Sequence, residues 1–350
     1  MNSAAKQPVT PSRRYCIAPM LDWTDRYYRY FARTLSQHAW LYTEMVNTGA
    51  IIHGDKMRHL RFDDIENPLA LQLGGSEPAD LARCARIAED WGYDEVNLNV
   101  GCPSERVQSG SFGACLMAEP TLVSDGVKAM RDAVRNIDVT VKHRIGIDQV
   151  EEYSYVRDFV GQVAEAGCQT FIVHARNAIL KGLSPKENRE VPPLKYDFVY
   201  QLKHDFPHLE IIINGGITSH EAGLAHLQHV DGVMIGREAY HNPFSLAQVD
   251  ELYYGAAPSA ITRDQAMLAM RPFIEAELKA GTPLRFITRH VLGLYQGVYG
   301  ARNWRRMLSD AKLLKNADWR LIEQAMREVA PREPQPAEAI AHAATAPLAE

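Results

Sequence analysis

The sequence lacks the long apolar stretches and the cysteine pairs that mark several classes of protein. No apolar run approaches the roughly 18 residues that cross a bilayer, and residues 1–14 lack the apolar core of a signal peptide. The five cysteines are widely spaced and include no Cys-x-x-Cys pair, so the usual signatures of a zinc site or a redox dithiol are missing. We therefore expect a cytoplasmic protein without disulfides, a metal, membrane contact or a stable protein partner.

Two common nucleotide-binding motifs are also missing. No apolar segment is followed by Gly-x-Gly-x-x-Gly and no Walker A sequence occurs, which disfavours an open, doubly wound sheet. The formal net charge of −5 argues against a nucleic-acid partner as a sum, although the local distribution of charge matters more than the sum. At 350 residues the chain can hold one domain of about 250 residues and a smaller one.

What the sequence does contain is a regular alternation of apolar segments and helical patterns. Eight short apolar segments, each followed by polar residues, predict an α/β fold, the (β/α)₈ TIM barrel, over residues 14–255. Helical patterns at 264–279, 284–299, 303–316 and 319–329 predict a small all-helical domain over residues 256–330. The ends, residues 1–13 and 331–350, are expected to be disordered. The predicted strands are 15–20, 40–45, 69–73, 95–100, 139–144, 170–176, 210–216 and 232–237.

The fourth predicted strand leads into a cysteine loop. Apolar residues alternate with Asn97 and Asn99, which is the two-residue period of a strand, and the pattern then stops. Gly101 and Pro103 are poor continuers of a strand, so we expect the thiol of Cys102 on a turn just beyond it. A free cysteine is more often a small buried hydrophobe, so a chemical role for Cys102 depends on polar residues at the other strand ends.

In a barrel of this kind, the carboxyl ends of the strands face one pocket, and phosphate binds at the loops after the seventh and eighth strands. Glycines at those loops let backbone N–H groups approach an anion, and an arginine adds charge. Lys142 and His174 could each be a structural strand-end residue or a group beside a cofactor ring, and Gln72 could donate to and accept from a heterocycle. With the backbone of the first strand, the set suits flavin mononucleotide (FMN). The candidates are Pro19, Met20, Leu21, Gln72, Lys142, His174, Asn214, Gly215, Gly216, Gly236 and Arg237.

Several of these segments, in the same order, resemble the tRNA-dihydrouridine synthases over about residues 15–329. The most specific is Asn-Leu-Asn-Val-Gly-Cys-Pro-Ser at 97–104. The run Lys-Gly-Leu-Ser-Pro-Lys-Glu-Asn-Arg-Glu at 181–190 resembles the A subfamily in particular. The other matching segments are 18–25, 71–75, 141–144, 174–176, 214–216 and 236–237.

The resemblance implies an activity for the site. FMN would be held by the candidates above, NADPH would reduce it, and the flavin would deliver a hydride to C6 of a uracil. Cys102 would then give a proton to C5, which suits a thiol of pKa about 8.5, protonated at neutral pH. The A subfamily implies the D-loop uridines at tRNA positions 20 and 20a.

Basic residues are concentrated in two segments that would flank the pocket. Residues 281–320 contain eight Lys and Arg against two Asp, with Arg302, Arg305 and Arg306 on the polar side of an amphipathic helical pattern. A solvated helix face would look the same. Lys186 and Arg189, after the sixth strand, would form a second basic rim, and the target base must be turned out of its stack to reach a flavin. Asn99 and Arg176 are our candidates to contact the uracil edge.

Two other functions remain open from the sequence. A dihydroorotate-type FMN barrel dehydrogenase acting on a small molecule would have a similar pocket but would not need the basic helical segment. A non-catalytic RNA-binding barrel would not need Cys102 and Lys142.

Overall fold

The protein is described here from a computed structural model, which covers residues 12–104, 110–150 and 152–329. Eight parallel strands form one sheet in the order β1-β8-β7-β6-β5-β4-β3-β2. The two outer strands meet through a parallel bridge between Cys16 and Trp40, where the Ile17 N–H donates to the Trp40 carbonyl at 2.9 Å. The predicted (β/α)₈ barrel is therefore confirmed. The strands are β1 Tyr15–Ile17, β2 Leu41–Asn47, β3 Leu69–Gly74, β4 Glu95–Val100, β5 Asp138–Arg144, β6 Thr170–His174, β7 Glu210–Asn214 and β8 Gly232–Ile235.

Helices follow the strands and cover the outside of the barrel. Their inward faces pack on the strands in one large apolar core. Within the described ranges, no helix is both long and apolar enough to cross a membrane. The helices up to residue 254 are α1 Arg26–Leu35, α2 Thr48–His53, α3 Lys56–Leu60, α4 Pro78–Asp90, α5 Pro120–Ala133, α6 Tyr153–Glu165, α7 Tyr196–Asp205, α8 His220–His226, α9 Arg237–His241 and α10 Val249–Tyr254.

The C-terminal helices are present but shorter than the sequence pattern suggests. They are α11 Arg263–Ala269, α12 Arg271–Lys279, α13 Arg285–Thr288, α14 Ala301–Ser309 and α15 Trp319–Arg327. The predicted helix 264–279 is two helices, because Pro272 has no N–H to continue the first one. The predicted helix 284–299 keeps helical structure only in α13 and continues as turns, where Gly297 takes a φ of +78°. The predicted helix 303–316 ends at Ser309, after which Asp310 is extended.

The C-terminal helices pack on the barrel through α1. The Tyr30 and Phe273 rings are stacked with centroids 4.0 Å apart, and Arg26 pairs with Glu277 at 2.6 Å. Asp25, the N-cap of α1, accepts from Arg289 at 2.5 Å. The barrel and the C-terminal helices therefore share one packed interface.

The barrel interior has three levels, because alternate residues of each strand point inward. The floor, at the amino ends of the strands, is charged. The waist is lined by residues such as Ile172, Ile212 and Met234, which belong to an apolar cluster inside the ring. The mouth, at the carboxyl ends, is polar and holds the predicted site residues.

Arg13 closes the floor of the barrel. Its guanidinium donates to Glu95 at 2.7 Å, to Asp138 at 2.5 Å and to Glu210 at 3.1 Å, and it lies 4.2 Å from the Trp40 ring centroid. The predicted disorder of residues 1–13 is wrong for Arg13, because three carboxylates on three strands hold it in the interior. Residues 1–11 and 331–350 lie outside the described residues.

The floor pairing predicts the stability of an Arg13→Met variant. Met keeps contact with Trp40 but leaves the fully buried Glu95 without its cation. We expect the free energy of unfolding, measured with urea, to fall by about 3–5 kcal/mol. Burial already raises the pKa of Glu95 and Arg13 opposes this, so the variant raises that pKa further. A raised carboxyl pKa means stability lost as pH rises, so the deficit should be smaller at about pH 5 than at about pH 8.

Arg157→Met is the matched control, because within the described part of the chain Arg157 forms an ion pair only with its exposed neighbour Asp158. Its unfolding free energy should change by less than about 1 kcal/mol. Equal losses in the two variants would show that Arg13 does not stabilise the floor.

Candidate active site

Five of the predicted site residues lie together in the mouth of the barrel. Each is the last or nearly the last inward residue of its strand, so five consecutive strands each contribute one side chain to the same pocket. All except Lys142 are buried, at no more than 8% exposure. The five residues are Gln72, Asn99, Lys142, His174 and Asn214.

The cysteine loop is held to this layer by Asn99. The Asn99 Oδ1 atom accepts from the backbone N–H groups of Gly101 at 3.1 Å and Cys102 at 3.0 Å. The Cys102 carbonyl accepts from Ala114 at 2.9 Å, so the loop is held on both sides. The Cys102 thiol is half-buried, with Sγ 3.7 Å from Oγ of Ser104. The turn beyond β4 therefore presents Cys102 at the edge of the mouth.

These contacts limit the role predicted for Asn99. Its Nδ2 donates to Oε1 of Gln72 at 2.9 Å, and its oxygen is already occupied by two backbone donors. An Asn carboxamide has two N–H donors, so one remains for a substrate. Contact with a uracil edge stays a prediction, and in this structure Asn99 organises the cysteine loop.

Lys142 has a perturbed pKa. Burial, and after it the nearby charge of Arg144, lower this pKa from 10.5 to about 7. The Nζ atom donates to Oδ1 of Asn214 at 3.1 Å, and Nδ2 of Asn214 donates to the Met234 carbonyl at 2.8 Å. Asn214 is therefore oriented to accept from Lys142 without neutralising it.

Arg144, also on β5, and Arg189, from the segment after β6, add positive charge to the mouth. Burial and the charges of neighbouring arginines together lower the pKa of Arg144 to about 10 and that of Arg189 below its usual range. The pKa of His174 is well below 6.5, through burial and the charges of Arg144 and Lys142, so its ring is neutral. This cluster of like charges makes the mouth favourable for an anion.

Arg144 is a site residue that the sequence reasoning missed. Its Nε donates to the Gly101 carbonyl at 3.2 Å, and its Nη1 donates to the carbonyls of Asn177 at 3.1 Å and Asn188 at 2.9 Å. It thus joins the cysteine loop to the segment after β6. One sequence feature could have identified it. Arg144 is two residues from Lys142, and this spacing places both side chains on the inner face of β5.

The glycine turn after β7 has a backbone shape that requires glycine. Gly215 and Gly216 take φ values of +116° and +70°, which favour glycine. A Cβ on Gly215 would lie 3.3 Å from the His174 ring, so the backbone there approaches the histidine closely. The Nδ1 atom of His174 is buried and has no partner among the described residues. Backbone and histidine thus offer polar groups suited to a phosphorylated ring compound.

The remaining cofactor candidates lie around this pocket. Arg237 follows Gly236 and pairs with Glu190 at 2.6 Å, with both side chains partly exposed. A Cβ on Gly236 would lie 3.6 Å from Met20, so the β1 and β8 turns are adjacent. Pro19 is partly buried, like Met20, whereas Leu21 is 68% exposed.

The candidate substrate residues lie in two places. Arg176 donates to the carbonyls of Glu190 and Pro192, so it also holds the segment after β6. Lys186 is exposed in that segment, next to the short 3₁₀ helix that contains Arg189. The exposed basic residues of α14 are on the side opposite its buried Trp304. They are Arg302, Arg305 and Arg306.

Together, the fold and the mouth define a barrel with a cationic pocket and a thiol at its edge. The family model described as Dihydrouridine synthase (Dus) matches residues 16–330. The chain belongs to this family.

Relatives and a solved structure extend this result. A tRNA-dihydrouridine(20/20a) synthase of Pseudomonas aeruginosa is 59% identical over 326 residues, which is 93% of this chain and 98% of the relative. The Escherichia coli K12 protein of the same name is 58% identical over 93% of this chain and 94% of its own. A 2-naphthoyl-CoA reductase complex, at 8% identity, superposes with a TM-score of 0.52 over 68% of this chain and 50% of that one. The last similarity concerns the fold alone.

The lowered pKa of Lys142 can be measured directly. In protein whose lysines carry ¹³C-methyl groups, one NMR resonance should titrate near pH 7. Lys142→Gln should remove that resonance only, while Lys181→Gln, on an exposed residue, should leave it in place. A spectrum in which no lysine resonance titrates near pH 7 would contradict the buried, like-charged environment of Lys142.

Proposed function

We propose that this protein reduces uridine in tRNA to 5,6-dihydrouridine, with FMN as its cofactor and NADPH as the reductant. The observation that carries the proposal is the half-buried Cys102 beside the cationic mouth formed around Lys142 and Arg144. Membership of the dihydrouridine synthase family supports the reaction. The names of the relatives support positions 20 and 20a as the targets.

FMN fits the described mouth in charge and in hydrogen bonding. Lys142 and His174 lie beside the pocket, and Nδ1 of His174, which has no partner among the residues that the structure describes, would bind the ring edge or the phosphate. The backbone N–H groups at Gly215 and Gly216, with Arg237, would take the phosphate. Gln72 keeps one free N–H for the isoalloxazine edge, because its other donor is used by Asn97. Bound FMN would supply the hydrogen that C6 of the uracil receives.

The residues of the chain would supply the rest of the reaction. Addition of hydrogen at C6 leaves negative charge on the pyrimidine, and Cys102 would quench it by giving its proton to C5. Lys142 would place a positive charge next to the reacting rings, where it stabilises developing negative charge most. Asn99 and Arg144 would act on the backbone of the cysteine loop and keep the thiol at the edge of the pocket.

The substrate must reach this pocket as an extruded base. A uridine in a folded tRNA is stacked on its neighbours. Turning it out costs free energy, which protein contacts to tRNA phosphates elsewhere would offset. The exposed arginines of α14 and the basic segment 181–189 provide two surfaces for phosphates. In this proposal residues 14–255 form the catalytic domain and residues 256–330 the tRNA-binding domain, and tRNA as substrate suits the cytoplasmic location expected from the sequence.

The direct test is to incubate the protein with NADPH and tRNA that lacks dihydrouridine, digest the RNA, and search for uridines heavier by two hydrogens. Their appearance at positions 20 and 20a is the expected outcome. A yellow protein that leaves the RNA unchanged would favour the small-molecule flavoenzyme instead. A colourless protein that binds tRNA would favour the non-catalytic RNA-binding barrel.

Cys102→Ala tests the proton donor. The variant should keep its flavin, because the thiol is not part of the proposed cofactor pocket, and its reduction by NADPH should be unchanged. Formation of dihydrouridine should fall by about 100-fold or more. Cys115→Ala is the control, since Cys115 is a partly exposed cysteine of the same loop region. A Cys102→Ala enzyme as fast as this control would rule out the assignment.

Arg305→Glu tests the phosphate surface on α14. We expect weaker tRNA binding and a less steep dependence of log K on log salt, by about one unit for the lost phosphate contact. Flavin content should not change, because α14 is outside the barrel. Arg157→Glu, on α6, is the matched charge reversal on a different face. The same loss of affinity in both variants would indicate a general effect of net charge.

A further inference from the structure

A continuous chain of buried hydrogen bonds connects the floor of the barrel to its mouth. Its lower half begins at Glu95, which pairs with Arg13 at 2.7 Å. The Thr140 hydroxyl donates to the other oxygen of Glu95. Nδ2 of Asn97 then donates to Oγ1 of Thr140 at 2.7 Å. Every one of these side chains is at most 6% exposed, so the bonds are shielded from water.

The upper half continues to the cysteine loop. Nε2 of Gln72 donates to Oδ1 of Asn97 at 2.8 Å, and Nδ2 of Asn99 donates to Oε1 of Gln72 at 2.9 Å. Oδ1 of Asn99 then accepts from the N–H groups of Gly101 and Cys102. The chain thus passes through a predicted cofactor contact and ends on the residue proposed as the proton donor.

The two ends of the chain determine its direction. A carboxylate at the floor only accepts, and backbone N–H groups at the loop only donate. Each carboxamide between them has one orientation that satisfies both neighbours. Turning the amide of Gln72 or Asn97 would place two donors or two acceptors against each other. The network therefore has a single arrangement in which all of its members are satisfied, which is the condition under which a buried polar network makes a structure rigid.

A barrel waist does not require polar residues. One inward position below the mouth, the neighbouring strands β6, β7 and β8 carry Ile172, Ile212 and Met234. Large apolar residues are the usual filling of such a barrel, and burying polar groups costs free energy unless all of them are paired. On β4 and β5, one inward position below Asn99 and Lys142, the protein instead has the polar residues Asn97 and Thr140.

We infer that Asn97 and Thr140 are positioning residues for the reaction, which act through Gln72 and Asn99 to hold the Cys102 loop and the cofactor-facing carboxamide in one orientation. The inference rests on the proposed function for the reaction that they serve. It assigns a role in turnover to two side chains that lie below the pocket and do not line it.

Thr140→Val tests the inference, because it removes the hydroxyl and keeps the shape. It removes the hydroxyl that accepts from Nδ2 of Asn97, so the hydrogen-bond chain is no longer connected to Glu95. Thr140→Ser restores a hydroxyl. Thr170→Val is the control, since the buried Thr170 hydroxyl also donates to a floor carboxylate, Glu210, at 2.8 Å, but lies outside the chain. Thr140→Ala replaces the first variant if that one does not fold.

Two measurements are made on the four proteins. Hydrogen–deuterium exchange of peptides containing Gly101 and Cys102 should accelerate about fivefold in Thr140→Val, from the loss of one buried hydrogen bond. Single-turnover uridine reduction by the pre-reduced enzyme should slow by about the same factor or more, with reduction of the flavin by NADPH unchanged. Thr140→Ser should resemble the wild type in both measurements, and so should Thr170→Val.

Exchange and turnover in Thr140→Val equal to those of Thr170→Val would overturn the inference. So would a Thr140→Ser variant as impaired as Thr140→Val, because shape and not the hydroxyl would then be decisive. If the wild-type protein reduces no uridine, the proposed function fails. The exchange measurement still decides whether the chain holds the loop.

Discussion

The ion pair between Arg13 and Glu95 is the interaction on which the barrel interior depends. Two charges removed from water are stable only when their geometry is good and their remaining hydrogen bonds are made. Those remaining bonds go to Asp138 and Thr140 on β5 and to Glu210 on β7. Closure of the barrel brings these partners together and so offsets the free-energy cost of burying the two charges. The charges in turn favour the strand register that places their partners within reach. The polar chain toward the mouth begins at this pair.

The mouth has the opposite electrostatic character. At the floor three carboxylates surround one guanidinium, whereas at the mouth the charge of Arg144 lowers the pKa of Lys142 and the charge of Arg189 lowers the pKa of Arg144. A cluster of like charges costs free energy in the folded protein, and an anion in the pocket offsets that cost. The ends of one set of strands thus serve different purposes. The floor contributes to stability, and the mouth favours a negatively charged ligand.

The barrel and most of the mouth could be predicted from the sequence, because strand periodicity and the C-terminal position of polar residues are local signals. Arg144 and Arg13 were missed since their partners are distant in sequence: Arg144 bonds to Asn188, 44 residues away, and Arg13 to Glu210, 197 residues away. The C-terminal helices were predicted too long because an amphipathic pattern continues through turns. The role of Asn99 in holding the cysteine loop depends on the folded geometry of the turn, which no local sequence pattern indicates.

The neutral partner of Lys142 explains how its charge can depend on what binds. A carboxylate in place of Asn214 would keep the ammonium charged at all relevant pH values and would also repel an anion. With a carboxamide 3.1 Å away and a pKa of about 7, Lys142 is only partly charged at neutral pH. An anion in the pocket raises that pKa, so by linkage its binding takes up a proton at Lys142. With an anionic ring in the pocket, Lys142 is therefore fully charged. Its positive charge is then in place as negative charge develops on that ring.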